Sequence, residues 1–430
     1  MLGLVDANNF YVSCERVFDR RLVGKPVAVL SNNDGCCVAM SPEFKALGIK
    51  RGTPHFQLRE REQRDGLIFR SSNYELYGDM SRRIVSILRD EALEVEQYSI
   101  DEAFIVPPRF AVPGADFSAD SLFAYGRRLR AKILRWTGIP CGIGFAPTKT
   151  LAKIANHTAK KTAEGVLVMP EDPTPMLAAL PVEEVWGVGR RLPVKLQLHG
   201  IVTALQLRDA PVETLRRIGG VTLARTAMEL SGRSAVEERD YDADPDSVSC
   251  SRSFGEPVTD ADALGESIAF FIAQAAVKLR KHRMFATGCN LYVQRGDLSF
   301  DGRTVVFPAP TDATNEMLSA VRGSIAALFA PGERYRKSGV VFFGLEHADG
   351  ARQLDFRDAL FGGEDAAGCA CARRPETPSA LYSAVDALNA RFGKGRVFSA
   401  AEGIERKWTM KRSMLSPRST TNWRELPVVR

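Results

Sequence analysis

The chain lacks the features that would mark a membrane protein, a secreted protein or a zinc protein. No apolar run among its 430 residues approaches the roughly 18 residues that a membrane-spanning helix needs. The opening residues MLGLVDANNF contain no basic segment before the apolar one, so we expect no secretory signal. The eight cysteines include no Cys-x-x-Cys pair and the five histidines are scattered, which favours free thiols in a reducing cytosol over a metal or disulfide framework.

A strong excess of either charge is also missing, because the formal net charge is only +6. Charged residues make up 26% of the chain and apolar residues 45%, which is typical of a globular protein. Residues 403–430 carry seven lysines and arginines against two acids, so most of the excess lies there. Mild basicity of this kind permits a nucleic-acid partner, and the length predicts about three domains.

Two adjacent acids, Asp101 and Glu102, interrupt a strand-like stretch, QYSIDEAFI, at residues 97–105. Polar and apolar residues alternate before the acids and an apolar run follows them, which predicts a hairpin with the acids at its tip. Two carboxylates held together need a counter-charge, and a hard divalent cation is a common one. The alternative is a solvated turn, which is where most isolated Asp-Glu pairs lie.

A third acid, Asp6, ends the short apolar strand at 2–5 and precedes a helical pattern. The order strand, helix, strand, strand, helix, strand predicts a ferredoxin-like sheet. In such a sheet the first strand and the central hairpin can be neighbours, which would bring Asp6 towards Asp101 and Glu102. Taken alone, an acid after a strand is explained equally well as an ordinary loop residue.

A basic helix is predicted in the segment 144–161. Lys149, Lys153 and Lys160 are spaced so that they share one face of it. On its own, that pattern is most often a solvated surface. Beside three metal-binding acids it would instead form a clamp for a polyphosphate, for which the lysine ammonium group is a suitable point charge.

Two further segments read as small modules. Residues 21–74 form an insertion, with a turn at Asn33-Asp34-Gly35 between two strands and a helix that begins after Ser41. Further on, Gly187-Val188-Gly189 lies between two short helical patterns, and residues 218–230 form a weaker copy. Such a turn presents backbone N–H groups to an anion, as in helix-hairpin-helix modules that grip a DNA phosphate. A tight turn between packed helices needs glycine as well.

The second half of the chain repeats part of the first. Residues 234–248 are polar and acidic and predict a linker. Residues 249–344 repeat the order of strands and helices without acids placed like the first three, which favours a binding module. Residues 349–380 are rich in alanine, glycine and proline and are expected to be flexible.

The last segment, 403–430, mixes basic residues with apolar ones. The apolar residues are Trp408, Met410, Met414, Leu415 and Trp423. This mixture predicts a docking surface rather than a core.

Several motifs together resemble those of Y-family translesion DNA polymerases. The catalytic motifs are DANNFYVSCE (6–15), YSIDEAF (98–104) and TKTLAKIANHTAKK (148–161). Five more are similar to the UmuC type within that family, the catalytic subunit of bacterial DNA polymerase V: SNNDGC (31–36), SSNYELYGDMS (71–81), LPVEEVWGVGRR (180–191), CSRSFGE (250–256) and WTMKRSMLSPRSTT (408–421). The likeness runs through essentially the full chain in order, and the combination is highly specific.

The resemblance implies an α+β multidomain fold that agrees with the divisions above. Its parts would be a ferredoxin-like catalytic palm (1–20 and 75–170), small fingers (21–74), an all-α thumb with the helix-hairpin-helix (171–233), a linker (234–248), a ferredoxin-like βαββαβ little finger (249–346) and a flexible basic C-terminal region for clamp and partner binding (347–430).

The resemblance also implies an error-prone, template-directed DNA polymerase that transfers nucleotides from dNTPs to a primer 3′-hydroxyl past damaged bases. The implied ligands of two Mg²⁺ ions are Asp6, Ala7 through its carbonyl, Asp101 and Glu102. Two such ions can activate the hydroxyl and stabilise the leaving pyrophosphate, and Mg²⁺ favours carboxylates together with substrate oxygens.

The implied nucleotide-binding residues are Phe10, Tyr11, Lys45 and Lys160. Tyr11 matches the steric gate, whose ring would collide with a ribose 2′-hydroxyl; the alternative is a core aromatic. Ala39 and Pro42 stand where relatives often have a hydroxyl residue and a tyrosine on the phosphates. Nucleotide binding would therefore rest more on Lys45 and Lys160.

Partners are implied in the same way. Contacts to primer–template DNA are implied for Gly187, Gly189, Arg190 and Arg252. Gln353, Leu354 and Phe356 resemble the motif that docks polymerases onto the sliding clamp, although Arg357 stands where a second apolar residue is usual. The basic C-terminal segment implies a processed UmuD-type dimer and the RecA filament as partners. The implied setting is the bacterial cytoplasm, at the nucleoid, during the SOS response to DNA damage.

Two alternative functions account for part of the same pattern. Another palm-type enzyme, such as a nucleotidyl cyclase, would also use carboxylates and Mg²⁺, but it needs neither a helix-hairpin-helix nor a second sheet module. A non-catalytic DNA-binding scaffold with a decayed palm would not need the complete set of three acids and Lys160.

Overall fold

A computed structural model describes residues 1–108, 118–236, 244–347 and 377–427. Helices and strands are mixed throughout, and the chain divides into two compact units, Met1–Tyr241 with Ser413–Arg430, and Asp242–Arg412. The expected α+β multidomain class is therefore confirmed. Among the described helices, none combines the length and the apolar character needed to cross a bilayer.

The first unit contains these elements in chain order: β1 (Leu2–Ala7), α1 (Phe10–Phe18), β2 (Val27–Leu30), β3 (Cys37–Met40), α2 (Pro42–Ala46), α3 (Arg59–Arg64), β4 (Ile68–Ser71), α4 (Tyr74–Glu91), β5 (Glu94–Gln97), β6 (Glu102–Val106), α5 (Ala119–Thr137), β7 (Cys141–Ala146), α6 (Lys149–Ala159), β8 (Val166–Val168), α7 (Thr174–Ala179), α8 (Leu192–Gln197), α9 (Ala204–Asp209) and α10 (Val212–Leu230).

A five-stranded sheet in the order β5-β6-β1-β7-β8 is the centre of this unit. β1 pairs antiparallel with both β6 and β7, so the first strand and the hairpin are neighbours, as the sequence predicts. Side chains alternate between the two faces of a strand. Val5 and Ile143 therefore pack with α1, α4 and α5 in one core, while Leu4 and Phe104 pack with α6 in another.

The predicted insertion forms a separate three-stranded sheet in the order β3-β2-β4. The turn between β2 and β3 uses the left-handed backbone region at Asn33 (φ 60°) and Asp34 (φ 52°), which short polar side chains tolerate. Ser41 caps α2 as expected, because its hydroxyl accepts the N–H of Phe44 at 3.2 Å and Pro42 occupies the first helical position.

Helix α6 lies against the backbone of β7, and two glycines of that strand make this possible. A Cβ added at Gly144 would lie 2.2 Å from the backbone nitrogen of Asn156. One added at Gly142 would lie 2.8 Å from Cγ of Lys160. The buried amide of Asn156 fixes the register by donating to the carbonyls of Leu4 (3.2 Å) and Gly142 (2.7 Å). The basic face of α6 is thereby held over the end of the sheet.

Helices α7 to α10 follow with a glycine turn at each predicted position. Gly187 (φ 93°) precedes α8, and Gly220 (φ 73°) breaks α10 into two parts. The buried carboxylate of Glu229 accepts the N–H of Thr150 at the start of α6 (3.0 Å) and that of Ala235 (2.7 Å). A negative charge at a helix N-terminus is favourable, so the end of α10 is anchored to α6.

The second unit contains β9 (Val248–Val258), α11 (Ala261–Lys281), β10 (Met284–Arg295), β11 (Phe300–Thr311), α12 (Thr314–Leu328), β12 (Tyr335–His347) and α13 (Thr377–Phe392). Its antiparallel sheet has the order β11-β10-β12-β9, and α11 and α12 pack against it. The strands and helices predicted for residues 249–344 are present in the predicted order, and the strands are longer than the sequence pattern indicates.

The C-terminal segment corrects the expectation of a flexible docking surface. Trp408 is 2% exposed and packs among Phe254, Phe270 and Phe271, with ring centroids 5.2–6.4 Å apart. Burial of a large indole stabilises a fold most where a matching apolar space is available. Local composition cannot show whether such a space exists. From Ser413 onwards the segment belongs to the first unit and is folded onto it.

Two other C-terminal predictions have different outcomes. Trp423 is 89% exposed, and docking at that residue stays a prediction. The clamp-binding motif of Gln353, Leu354 and Phe356 lies outside the described residues.

Candidate active site

The three acids predicted at the end of the sheet are neighbours. Asp6 lies directly opposite Glu102 in the antiparallel pairing of β1 with β6. The backbone N–H of Ala7 donates to the carbonyl of Asp101 at 2.9 Å, which holds the tip of the hairpin against the same strand. Directly opposite residues have Cβ atoms about 5 Å apart on one face of a sheet. The carboxylates of Asp6 and Glu102 therefore share a face.

Both of these carboxylates are paired with lysines of α6 or its C-terminal end. Nζ of Lys160 lies 2.6 Å from Asp6, and Nζ of Lys153 lies 2.9 Å from Glu102. Within the described part of the chain, no three carboxylate, histidine or cysteine side chains converge as they would around a metal ion. The strands thus bring the acids together, while the two lysines draw their side chains towards α6.

Asp101 is held by Ser99, a residue that was not among those predicted for the site. The Ser99 hydroxyl donates to Oδ1 of Asp101 at 2.6 Å. The hydroxyl oxygen of Ser99 also accepts the backbone N–H groups of Asp101 (3.2 Å) and Glu102 (3.0 Å). One short side chain thereby closes the turn and orients its acid. A serine two residues before an acid in a predicted turn is the signal that identifies such a residue.

The electrostatics around Asp6 favour a bound cation. Burial raises the pKa of Asp6 to about 6; the ion pair with Lys160 opposes this rise, and the charges of Glu102 and Asp101 add to it. A carboxylate that is costly to ionise beside two other acids is stabilised by a nearby positive charge. Carboxylates and the carbonyl of Ala7 are hard oxygen donors, which suit a divalent cation. The residues present therefore fit a divalent metal ion.

A cavity of about 270 Å³ lies beside the acids, lined by Asp6, Glu102 and both lysines. Trp186 also lines it. Nζ of Lys153 lies 4.6 Å from the ring centre of Tyr98 and 5.0 Å from that of Trp186. Cation–π contacts stabilise an ammonium group in such a position. Lys153 therefore has a favourable environment that does not depend on Glu102 alone.

The basic face of α6 is not the solvated surface that the sequence left open. Lys149 pairs with Glu96 at 2.6 Å, and its side chain is 5% exposed. Together with Lys153 and Lys160, it makes three lysines that face acids on three different strands. The helix is thus bound to the sheet by charge as well as by packing.

Tyr11, in the first turn of α1, belongs to a group of three tyrosines. Its ring stacks on Tyr77 with centroids 4.4 Å apart and planes 15° from parallel. The ring of Tyr74 meets it edge-on at 6.2 Å. Burial raises the pKa of Tyr11, although part of its surface stays exposed. The ring is therefore held by α4 and still presents an edge to a ligand.

Two positive charges from other segments, Lys160 and Arg51, act on Lys45. Nζ of Lys45 donates to Oδ1 of Asn9 at 2.6 Å. Burial lowers the pKa of Lys45, and the charges of Lys160 and Arg51 lower it further. Three cations near one another repel, and a bound anion such as a phosphate would relieve that repulsion. Arg51 was not among the residues predicted from the sequence, although a second basic residue precedes it in the insertion.

Three other predicted nucleotide-site positions offer no polar side chain. Phe10 is 3% exposed in the core of the first unit, so only its backbone can meet a ligand. Ala39 lies on β3 and Pro42 begins α2. The first N–H groups of a helix have no partner within it, so the start of α1 can still bind an anion.

The residues assigned to DNA are exposed within their own units. Gly187 has φ 93°, and a Cβ at Gly189 would meet open space. Arg190 follows them and is exposed. Arg252 is exposed on β9 of the second unit. All four positions are therefore accessible to a ligand.

Comparison with known proteins gives the family. The model of the impB/mucB/samB family matches residues 5–157, and the model of that family's C-terminal domain matches residues 245–356. A third model, described as a domain of unknown function, matches residues 379–429.

Relatives that match over most of their length support the same family assignment. The chain is 39% identical to Protein UmuC of Salmonella typhimurium strain LT2 over 438 residues, covering 99% of each chain. It is 29% identical to DNA polymerase IV of Pelotomaculum thermopropionicum, covering 92% of this chain and 94% of that one. A solved Y-family DNA polymerase chimera of Dbh and Dpo4 has the same fold, with a TM-score of 0.63 at 21% identity over 80% of this chain and 99% of the chimera.

The oxygen donors at the end of the sheet are consistent with a dependence on divalent metal ions. The register of the acids, the lysines that face them and the two family models lead to one conclusion. The chain belongs to the impB/mucB/samB family and is a UmuC-type Y-family DNA-directed DNA polymerase, an enzyme of translesion synthesis.

Proposed function

We propose that Asp6, Asp101 and Glu102, with the carbonyl of Ala7, hold two Mg²⁺ ions during transfer of a nucleotide from a dNTP to a primer 3′-hydroxyl. The observation that carries this proposal is the register of β1 and β6, which puts Asp6 opposite Glu102. When bound, such ions activate the attacking hydroxyl and stabilise the charge that develops on the leaving pyrophosphate.

In this proposal Lys153 and Lys160 balance the acids until the cations bind. The side chain of Lys160 is 30% exposed, so its ammonium group has room to turn from Asp6 to a triphosphate. Lys153 keeps its contacts with Tyr98 and Trp186 when Glu102 turns away. Each charged group therefore keeps a partner when the metal ions replace the lysines at the acids. A buried charge without a partner would destabilise the site.

Basic side chains and the start of α1 make the remaining contacts with the nucleotide. Lys45, Arg51 and Lys160 bind the phosphates, and the backbone at Phe10 adds the start of a helix. The ring of Tyr11 lies under the sugar and excludes a 2′-hydroxyl. Because Ala39 and Pro42 supply no hydroxyl, the side chains of Lys45, Arg51 and Lys160 provide most of the phosphate binding.

The domain assignments are proposed on the same basis. The five-stranded sheet is a ferredoxin-like palm (1–20 and 75–170), and the insertion is the fingers (21–74). Helices α7 to α10 form a helix-hairpin-helix thumb (171–233), and after the linker (234–248) the second sheet is a ferredoxin-like little finger (249–346). The turn at Gly187 and Gly189 with Arg190, and Arg252 on the little finger, bind DNA phosphates without reading sequence.

Partners are proposed from the motifs and the family. Primer–template DNA and dNTPs are the substrates, and Gln353, Leu354 and Phe356 dock onto the sliding clamp. A processed UmuD-type dimer and the RecA filament act through the C-terminal region. We propose the setting as the bacterial cytoplasm, at the nucleoid, during the SOS response.

Replacing Lys160 with methionine is expected to raise KM for the incoming dNTP about 10- to 100-fold. The change keeps most of the apolar stem and removes one charged contact to phosphate, which contributes about 1.5–3 kcal/mol. Single-nucleotide insertion kinetics measure this KM. The control is Lys161→Met, which alters an adjacent exposed lysine and should leave KM unchanged. An unchanged KM in Lys160→Met would remove this residue from the nucleotide site.

Replacing Tyr11 with alanine is expected to lower the preference for dNTPs over rNTPs by about 10- to 200-fold. Without the ring, the space for a 2′-hydroxyl opens, and a site that rejects a group by size alone discriminates by about 1–3 kcal/mol. The ratio of kcat/KM for a matched dNTP and rNTP pair measures it. Tyr11→Phe is the control, because it keeps the ring and should keep the preference.

A further inference from the structure

The C-terminal residues 413–425, named the tail segment below, fold onto the first unit beside the fingers. Met414 exchanges two hydrogen bonds with Ser71 at the end of β4. Its N–H donates to the serine hydroxyl at 2.9 Å, and its carbonyl accepts the serine N–H at 3.0 Å. The N–H of Ser413 donates to Oδ2 of Asp34 at 2.8 Å. The tail segment is therefore attached to the insertion through its backbone.

Asn73 makes a second attachment at the start of α4. Its Oδ1 accepts the N–H of Leu76 as the helix cap. Its Nδ2 donates to the carbonyl of Ser416 (3.1 Å), to the hydroxyl of Ser416 (2.9 Å) and to the carbonyl of Pro417 (3.3 Å). Asn73 is fully buried. The side chain of Asn73 thus caps α4 and also binds the tail segment through hydrogen bonds.

Ser416 then reaches into the palm through Glu15. Its hydroxyl donates to Oε1 of Glu15 at 2.9 Å, although the two residues are 401 positions apart in the chain. The hydroxyl of Tyr77 donates to the same oxygen at 2.6 Å. Glu15 is 2% exposed and Tyr77 is fully buried. The carboxylate therefore joins the tail segment to α4 away from bulk water.

Tyr77 is also the ring on which Tyr11 stacks, at 4.4 Å between centroids. A continuous series of contacts therefore runs from Ser416 through Glu15 and Tyr77 to Tyr11. The other ring against Tyr11 is Tyr74, the first residue of the helix that Asn73 caps. Both supports of the Tyr11 ring are thus attached to the tail segment.

We propose that the tail segment supports the ring of Tyr11 from outside the nucleotide site, and that Ser416, Glu15 and Tyr77 are positioning residues that hold this ring and so set discrimination between deoxyribose and ribose. The tail segment lies within the part of the chain that matches a domain of unknown function, residues 379–429. The inference rests on the proposed role of Tyr11.

The physical reason is rigidity. A steric gate rejects a 2′-hydroxyl only if its ring cannot yield. A buried carboxylate that loses one of two donors is under-satisfied and seeks another partner or water. Glu15 would then release Tyr77, and the Tyr11 ring stacked on it could give way to a ribonucleotide. Binding and insertion of a deoxynucleotide require no such movement and would be unchanged.

The test compares Ser416→Ala with Tyr77→Phe in the full chain. Ser416→Ala removes the hydroxyl through which the tail segment donates to Glu15. Tyr77→Phe removes the other hydroxyl that donates to Glu15 and keeps the ring on which Tyr11 stacks. Each is expected to lower the dNTP-to-rNTP ratio of kcat/KM about fivefold to tenfold, through faster rNTP insertion, with dNTP kcat within about twofold. Ser416→Thr, which keeps a hydroxyl, should restore the ratio.

Ser413→Ala is the matched control, because exposed Ser413 meets Asp34 through its backbone N–H. In a Tyr11→Ala background, Ser416→Ala should cause no further change. The inference is overturned if Tyr11→Ala relaxes discrimination while Ser416→Ala and Tyr77→Phe, both folded by calorimetry, leave it intact. If Tyr11→Ala itself has no effect, the proposed gate fails, and this inference fails with it.

Discussion

Replacing Asp101 with asparagine is expected to abolish primer extension while the fold and DNA binding survive. The amide has almost the shape of the carboxylate and its oxygen can still accept the Ser99 hydroxyl, which lies 2.6 Å away in the wild type. What it lacks is the negative charge that a divalent cation needs. Loss of a charge at a metal that stabilises the transition state costs several kcal/mol, so kcat should fall at least about 10³-fold.

Glu94→Gln is the matched control, since Glu94 is an exposed acid at the other end of the same hairpin. It should extend primers at the normal rate. Fluorescence anisotropy of labelled primer–template checks that DNA binding by Asp101→Asn is retained. Extension by Asp101→Asn at the wild-type rate would reject the assignment of the site. Titration of Mg²⁺ with a deoxynucleotide adds an independent check, because a DNA-binding scaffold with a decayed palm should show no metal-dependent binding.

Replacing Gly144 with valine is expected to destabilise the first unit by about 3 kcal/mol or more. A Cβ there would lie 2.2 Å from the nitrogen of Asn156 and 2.6 Å from the carbonyl oxygen of Ala152. Both are backbone atoms of α6, so relief requires the helix to move away from the sheet. Activity should fall as well, because α6 carries Lys153 and leads to Lys160.

Calorimetry and urea unfolding measure the loss for Gly144→Val. Gly323→Ala is the control: this exposed glycine lies within α12, and a Cβ there meets open space. That change should be neutral or stabilise by up to about 1 kcal/mol, because alanine favours a helix over glycine. A stable, fully active Gly144→Val enzyme would show that α6 is not seated on β7 as described.

The acids show what a sequence can predict about a site. A hairpin tip with two acids and a strand that ends in a third were enough to predict that Asp6, Asp101 and Glu102 are neighbours. Strand alternation and the order of elements are local properties, and they restrict which strands can pair. Ser99 and Arg51 were missed, because a serine in a turn and an arginine in an insertion are common residues whose importance depends on their neighbours.

The C-terminal segment shows the opposite case. Its composition predicted a docking surface rather than a core, yet Trp408 is a core residue and Ser416 reaches Glu15. Composition reports how many apolar residues a segment holds and not whether another part of the chain offers them a place. A short basic segment can be ordered completely by contacts with residues hundreds of positions away.

The amino-acid sequence by itself determined the main strands and helices of the two sheets, the cap at Ser41, the glycine turns, the pairing of the first strand with the acidic hairpin, and the resemblance to the family. These depend on interactions within a few residues or on motifs that can be read in order. Only the tertiary structure decided that Lys153 and Lys160 each face one acid, and that Ser416 is joined to Tyr11 through Glu15 and Tyr77. Such contacts form between side chains far apart in the chain, because burial leaves each polar group only the partners that the packed fold brings to it.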